Sequence, residues 1–186
     1  MAENLKHISD EELYSRLRGN NVIVRHAFQE LYSRYAGKIF TYCRKVMGNE
    51  QTAEDIFQET FTKLYESAGQ EREMSNFNGF LITICRNLCL NEKNKRKLDS
   101  VFFDESIFPS LEDKTEYNDL KILLEKAIAS LPDDFREPII LKEYFGMSYK
   151  EIAEITNSTL ALVRTRIWRA KSKLRELMAP YKQDYQ

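Results

Sequence analysis

Histidine is nearly missing from this sequence of 186 residues: His7 and His26 are the only two, both near the N-terminus. With them go the usual general base and the commonest metal ligand. No Gly-rich phosphate loop, nucleophile elbow or cluster of metal ligands takes their place, so neither catalysis nor a metal nor a cofactor is expected. Cysteine is almost as sparse. Cys43, Cys85 and Cys89 are odd in number and lack the paired CxxC spacing of a zinc site, so they read as reduced, buried small hydrophobes, although Cys85 and Cys89 share one helix face. No apolar run approaches the length of a membrane span, and the N-terminal MAENLKHISDEELYSRL has no signal-peptide core. The chain is therefore expected in the cytoplasm, without membrane insertion. No long alternating pattern appears either, which leaves no strands to build a sheet.

What is present is helical. Hydrophobic content of 42% with 31% charged residues describes a globular chain, and its net charge of -1 conceals a strong segregation of charge. The plainest local signal is SYKEIAEITNSTLALVRTRIWRAKSKLREL, from Ser148 to Leu177. Ser148 and Glu151 have capping-box spacing, which starts a short helix. Asn157 tolerates a left-handed backbone and ends it, and Ser158 and Thr159 offer caps for the next helix. That second helix has a predicted buried stripe at Leu160, Val163, Ile167, Ala170, Leu174 and Leu177. Its opposite face shows Ala161, Leu162, Thr165, Trp168 and Arg169, flanked by Arg164 and Arg166, with Lys171, Lys173 and Arg175 extending the charge. Two short helices about a three-residue turn, the second one basic, form a helix-turn-helix suited to a DNA major groove, where arginine reads guanine edges and further cations meet phosphates.

Upstream, capping-box spacing at Ser9 and Glu12 opens a short helix ended by Gly19-Asn20-Asn21. A longer helix follows from about Val24, with Phe28, Leu31, Tyr32, Tyr35, Ile39, Tyr42 and Val46 expected in the core. The third helix buries Ala53, Ile56, Phe57, Phe61 and Leu64 and leaves Glu54, Asp55, Gln58 and Glu59 on a face that no internal cation opposes, which invites a basic protein partner. After the polar GQEREMSNFN comes a fourth helix with Phe77, Phe80, Leu81, Ile84 and Leu88 as its stripe and Arg86, Lys93, Lys95, Arg96 and Lys97 as cations able to meet a nucleic-acid backbone. From Asp99 to Glu116 periodicity fails and six carboxylates face only Lys114. This acidic flexible linker would compete with DNA for the basic helices on either side. The expected fold is all-α, with two small helical domains over residues 1–98 and 118–186 and the linker at 99–117.

Three blocks in this order resemble bacterial sigma factors of the extracytoplasmic-function group. FQELYSRYAGKIFTYCRKVMGNEQTAEDIFQETFTKLYE is similar to the first parts of region two, NFNGFLITICRNLCLNEKNKRK to its promoter-melting part, and LPDDFREPIILKEYFGMSYKEIAEITNSTLALVRTRIWRAKSKLREL to region four. The resemblance implies partners and roles. Glu54, Asp55, Gln58 and Glu59 would dock on core RNA polymerase. Asn76 and Asn78, in the loop from Gln70, together with Arg86, Asn87, Asn91, Lys95 and Arg96 would capture the non-template strand of the minus-ten element. Arg164, Thr165, Arg166, Trp168, Arg169 and Lys173 would contact the minus-thirty-five element of promoter DNA, and an anti-sigma factor would be a further partner. Phe80, Asn91, Asn157 and Ala161 depart from residues frequent in the family. The alternative is a stand-alone helix-turn-helix regulator, which would bind its site without polymerase. Against it, the N-terminal half carries a basic, aromatic helix of its own.

Overall fold

Polar caps account for most of the helix starts. The computed structural model describes residues 5–70, 74–99 and 118–181, and among them there is no strand. After a short 3-10 turn at Leu5–His7, the α-helices are α1 Asp10–Arg16, α2 Asn21–Met47, α3 Glu50–Ser67, α4 Phe77–Asp99, α5 Asn118–Ala129, α6 Asp133–Phe145, α7 Tyr149–Ile155 and α8 Leu160–Met178. Ser9, Asn20, Asn49, Ser148 and Thr159 each accept a backbone N–H of the helix they precede, a contribution of about 1 kcal/mol apiece. Gly48 and Gly146, at φ 70° and 69°, close α2 and α6 in the left-handed conformation that glycine adopts without strain. Because Asn20 is itself a cap, α2 begins at Asn21, before the expected Val24. Pro138 falls in the second turn of α6, not the first, so the carbonyl of Asp134 has no N–H four residues on.

The chain divides into two compact units, Met1–Asn94 and Lys95–Gln186. The core of the first holds Leu13, Tyr14, Leu31, Ile39, Tyr42, Leu64, Phe77, Leu81 and Ile82, all fully buried. Each such side chain contributes roughly 1.5–3 kcal/mol. Arg34 fastens the N-terminal turn to α2 by pairing with Asp10 at 2.7 Å and Glu30 at 2.8 Å and donating to the carbonyls of Leu5 and Ile8. In the second unit α5, α6 and α7 all pack on α8. Val163, Ile167 and Ala170 form the buried face of α8, and Leu131, Ile140, Leu141 and Ile152 are buried in the same unit.

Several expectations about burial change. Tyr32 is 41% exposed, and Leu160, the first residue of α8, is 39% exposed. On α4, Phe80, Ile84 and Leu88 are only half-buried, as are Leu174 and Leu177 on α8, whereas Ile82, Cys85 and Cys89 are buried. The helix is turned so that its cysteine side meets α2. The acidic segment lies outside the described residues from 100 to 117, as does the side chain of Arg96.

Candidate nucleic-acid interface

The capping box of α7 is complete. Ser148 Oγ accepts from the Glu151 N–H at 3.2 Å, and the Glu151 carboxylate accepts from the Ser148 N–H at 2.8 Å. Asn157 takes φ 50°, the one positive value among described non-glycine residues. The chain turns there, the Ser158 N–H returns to the Ala153 carbonyl at 2.8 Å, and Thr159 caps α8. With Val163, Ile167 and Ala170 inward, Arg164, Thr165, Trp168, Arg169 and Lys173 are exposed, Trp168 by 65%. An indole that open, beside guanidinium groups, is a surface suited to a partner rather than to a core.

Arg166 is placed differently. Its guanidinium pairs with Asp134 at 3.0 Å and reaches Ser158 Oγ at 3.3 Å, with its side chain only 21% exposed. It therefore ties α8 to the start of α6 and to the turn. Lys171 pairs with Glu143 at 2.8 Å, and that hydrogen bond holds its ammonium above the ordinary lysine range. Lys173 meets Glu176 at 3.2 Å, an exposed pair that DNA can displace cheaply. Neither Arg164 nor Arg169 has an ion-pair partner among the described residues.

In the first unit, Glu54, Asp55, Gln58 and Glu59 are all exposed on α3, and no cation of the described residues pairs with the three carboxylates. Sequence reasoning missed what adjoins them. Tyr65, three turns on from Glu54, is 55% exposed and meets Phe28 edge-on at 6.0 Å, while Tyr32 packs on Phe61 at 4.8 Å. The acidic face thus has an aromatic rim, detectable only from the eleven-residue spacing of Glu54 and Tyr65.

The start of α4 is built around Asn76, whose Oδ1 accepts the Gly79 N–H at 2.8 Å. A Cβ at Gly79 would stand 2.9 Å from the Asn76 amide nitrogen, so a larger residue there would make the Asn76 side chain shift. Asn78 is half-buried, and its Oδ1 is buried without a hydrogen-bond partner. Along α4, Asn87, Asn91 and Lys95 are exposed at four-residue intervals and form one polar ridge, with Arg86 half-buried beside it. Residues 71–73 lie outside the described residues, yet both stems of that loop are held by α1 and the turn after it. Arg18 donates to the carbonyls of Ala68 at 2.9 Å and Gln70 at 2.6 Å, and Glu11 accepts from the Phe77 N–H at 3.2 Å. Tyr14 reaches Ser67 at 3.0 Å and sets its ring against Phe77 and Phe80. No spacing in the sequence points to Arg18 or Glu11, since each partner lies at least 50 residues away.

Comparison with known proteins places the chain in a family. The family described as Sigma-70 region 2 matches residues 31–98, and the one described as Sigma-70, region 4 matches residues 121–174. The ECF RNA polymerase sigma-E factor of Haemophilus influenzae is 30% identical over 97% of this chain and 99% of its own. The chain belongs to the ECF RNA polymerase sigma factors. This sigma factor is also 30% identical to the ECF RNA polymerase sigma factor SigE of Mycolicibacterium smegmatis over 83% of its residues, spanning 63% of that protein's length. Among solved structures, the sigma factor RpoE from Bartonella quintana, in complex with the anti-sigma factor NepR, is similar with a TM-score of 0.65 and 26% identity, over 82% of this chain and 96% of that one. As a sigma factor, the chain is a non-enzymatic protein that directs transcription initiation. Among its described residues, no helix is long and apolar enough to cross a membrane.

Proposed function

We propose that this sigma factor works in the cytoplasm by binding core RNA polymerase through the α3 face of Glu54, Asp55, Gln58 and Glu59 and delivering it to promoters read at two points. Residues 1–98 act as region two, 118–186 as region four, and 99–117 as the connection. The minus-ten surface comprises Asn76, Asn78, Arg86, Asn87, Asn91, Lys95 and Arg96. Pulling a base from the stack costs a few kcal/mol, and a polar, cationic helix end is a receptor able to recover it. The minus-thirty-five surface comprises Arg164, Thr165, Trp168 and Arg169, with Lys173 on phosphate and Arg166 holding the recognition helix in place. The observation that carries this reading is the pairing of a helix-turn-helix in one unit with a separate polar helix and an uncompensated acidic face in the other. An anti-sigma partner is proposed by likeness to the Bartonella complex.

Run-off transcription with cognate core polymerase on genomic fragments tests the function. Transcripts that require both proteins are expected; specific DNA binding by the free chain as a dimer, with no polymerase-dependent transcripts, would establish the stand-alone regulator instead. A second measurement tests the loop supports. Arg18→Ala, which removes two charge-assisted hydrogen bonds from the first stem of the loop, should lower promoter opening by roughly tenfold or more, while core affinity stays unchanged. Permanganate reactivity of non-template thymines reads the opening, and equal reactivity in the variant and the parent protein would remove Arg18 from any positioning role.

A further inference from the structure

Cys43 comes from α2, and Cys85 and Cys89 come from successive turns of α4, so all three cysteines of the chain reach one point in the first unit's core. The Sγ atoms of Cys43 and Cys85 are 3.3 Å apart, and the three sulfurs lie within 4.8 Å of one another. All three residues are buried, with at most 1% of their surface open to water. Three sulfurs bonded at about 2.3 Å to one centre, at angles of roughly 100–120°, stand about 3.5–4 Å apart. The observed spacings, from 3.3 Å up to at most 4.8 Å, bracket that separation.

We propose that Cys43, Cys85 and Cys89 form a binding site for a trivalent metalloid, with arsenic(III) held by three sulfurs in a trigonal pyramid. Charge selects this class of ligand. Copper(I) on three thiolates leaves two negative charges, and zinc(II) leaves one together with a fourth position that no residue of this cluster fills. An uncompensated charge in an apolar core is costly. Arsenic(III) with three thiolates is neutral. The reaction also needs no ionised thiol in advance: three S–H groups and one arsenous acid, As(OH)3, give three S–As bonds and three waters, each thiol proton leaving with a hydroxide. No electrons are transferred. Entry requires a local opening of α4, of the kind that helices undergo well below global unfolding. Once made, the site staples α2 to α4 and constrains the unfolded chain between Cys43 and Cys89 as a crosslink does.

The experiment uses the full chain, reduced with a phosphine and titrated with arsenite. One equivalent should produce a near-ultraviolet sulfur–arsenic absorption, protect all three thiols from alkylation and raise the melting temperature. Cys43→Ala, Cys85→Ala and Cys89→Ala should each weaken binding by about 100-fold or more, since each removes one arm of an intramolecular chelate. The thiol-protection pattern is read on the unsubstituted protein, so the test stands even if a variant misfolds. Absence of a complex at large excess of arsenite, protection of only two thiols, or tighter binding of zinc or copper(I) than of arsenite would each overturn the proposal.

Discussion

Arg169→Ala should cost the holoenzyme about 1–3 kcal/mol at one or two base pairs of the upstream promoter element and almost nothing elsewhere. Arg169 is exposed one turn beyond Thr165 on the outer face of α8, beside the open Trp168, and no described residue holds its guanidinium. Removing it therefore leaves the fold intact and deletes only what it offers to DNA, two donors that match the acceptors of a guanine edge. Arg166→Ala should behave differently. Its guanidinium already engages Asp134 and Ser158, so truncation frees the start of α6 from the turn before α8. The expected result is a lower melting temperature together with weaker binding to all promoter sequences, and Asp134→Asn should reproduce part of it. Lys173→Ala should also weaken all sequences alike, but without loss of stability and with a shallower salt dependence, as befits a phosphate contact. Affinities measured across single-base promoter variants separate the three patterns. A loss from Arg169→Ala that is uniform across the library would take Arg169 off the list of base readers.

The contrast between Arg166 and Arg169 marks the limit of what the sequence makes legible. The capping box at Ser148, the left-handed turn at Asn157 and the inward stripe of Val163, Ile167 and Ala170 follow from interactions within four residues, and local spacing encodes them. Which flank of α8 meets α6 depends on how two helices pack, and no periodicity specifies that. The same cause explains α4. Ile84 and Leu88 were as good a stripe as Ile82, Cys85 and Cys89 until α2 chose between them. Cys85 and Cys89 could be placed on one face from their four-residue spacing, but the approach of Cys43 spans 42 residues and belongs to tertiary structure. Arg18 and Glu11 are invisible for the same reason, because their partners are a backbone carbonyl pair and a helix N-terminus on other elements. Exposed charge was easier to read. Glu54, Asp55, Gln58 and Glu59 could be grouped from helical geometry alone, whereas the aromatic rim of Tyr32 and Tyr65 was hidden among aromatics that do fill the core.

Reversing charge on that acidic face should move stability and polymerase binding in opposite directions. In the isolated chain Asp55 and Glu59 are exposed and four residues apart, a like-charge arrangement that is slightly unfavourable. Changing Asp55 to arginine converts the repulsion to an i,i+4 ion pair worth about 0.2–0.5 kcal/mol, whereas Glu59→Arg gains less because it also sets a like charge four residues before Lys63. Melting temperatures should therefore hold or rise slightly. If the face docks on a basic surface of core polymerase, the same changes place like charges across the interface, where juxtaposition costs kcal/mol rather than tenths. The Asp55→Arg, Glu59→Arg double variant, which restores a like-charge pair and so should melt close to the parent protein, should lose roughly 2 kcal/mol or more of core affinity, about thirtyfold, mostly through slower association and with a weaker response to salt than the parent protein. Tyr65→Ala should weaken assembly through the dissociation rate instead, since an aromatic at the rim contributes contact area rather than steering. Stopped-flow assembly of holoenzyme at two ionic strengths, beside thermal melts of the free chain, distinguishes these effects. Unchanged core affinity in a double variant whose melt is intact would mean that the acidic face of α3 is solvent-exposed surface and that polymerase docks elsewhere.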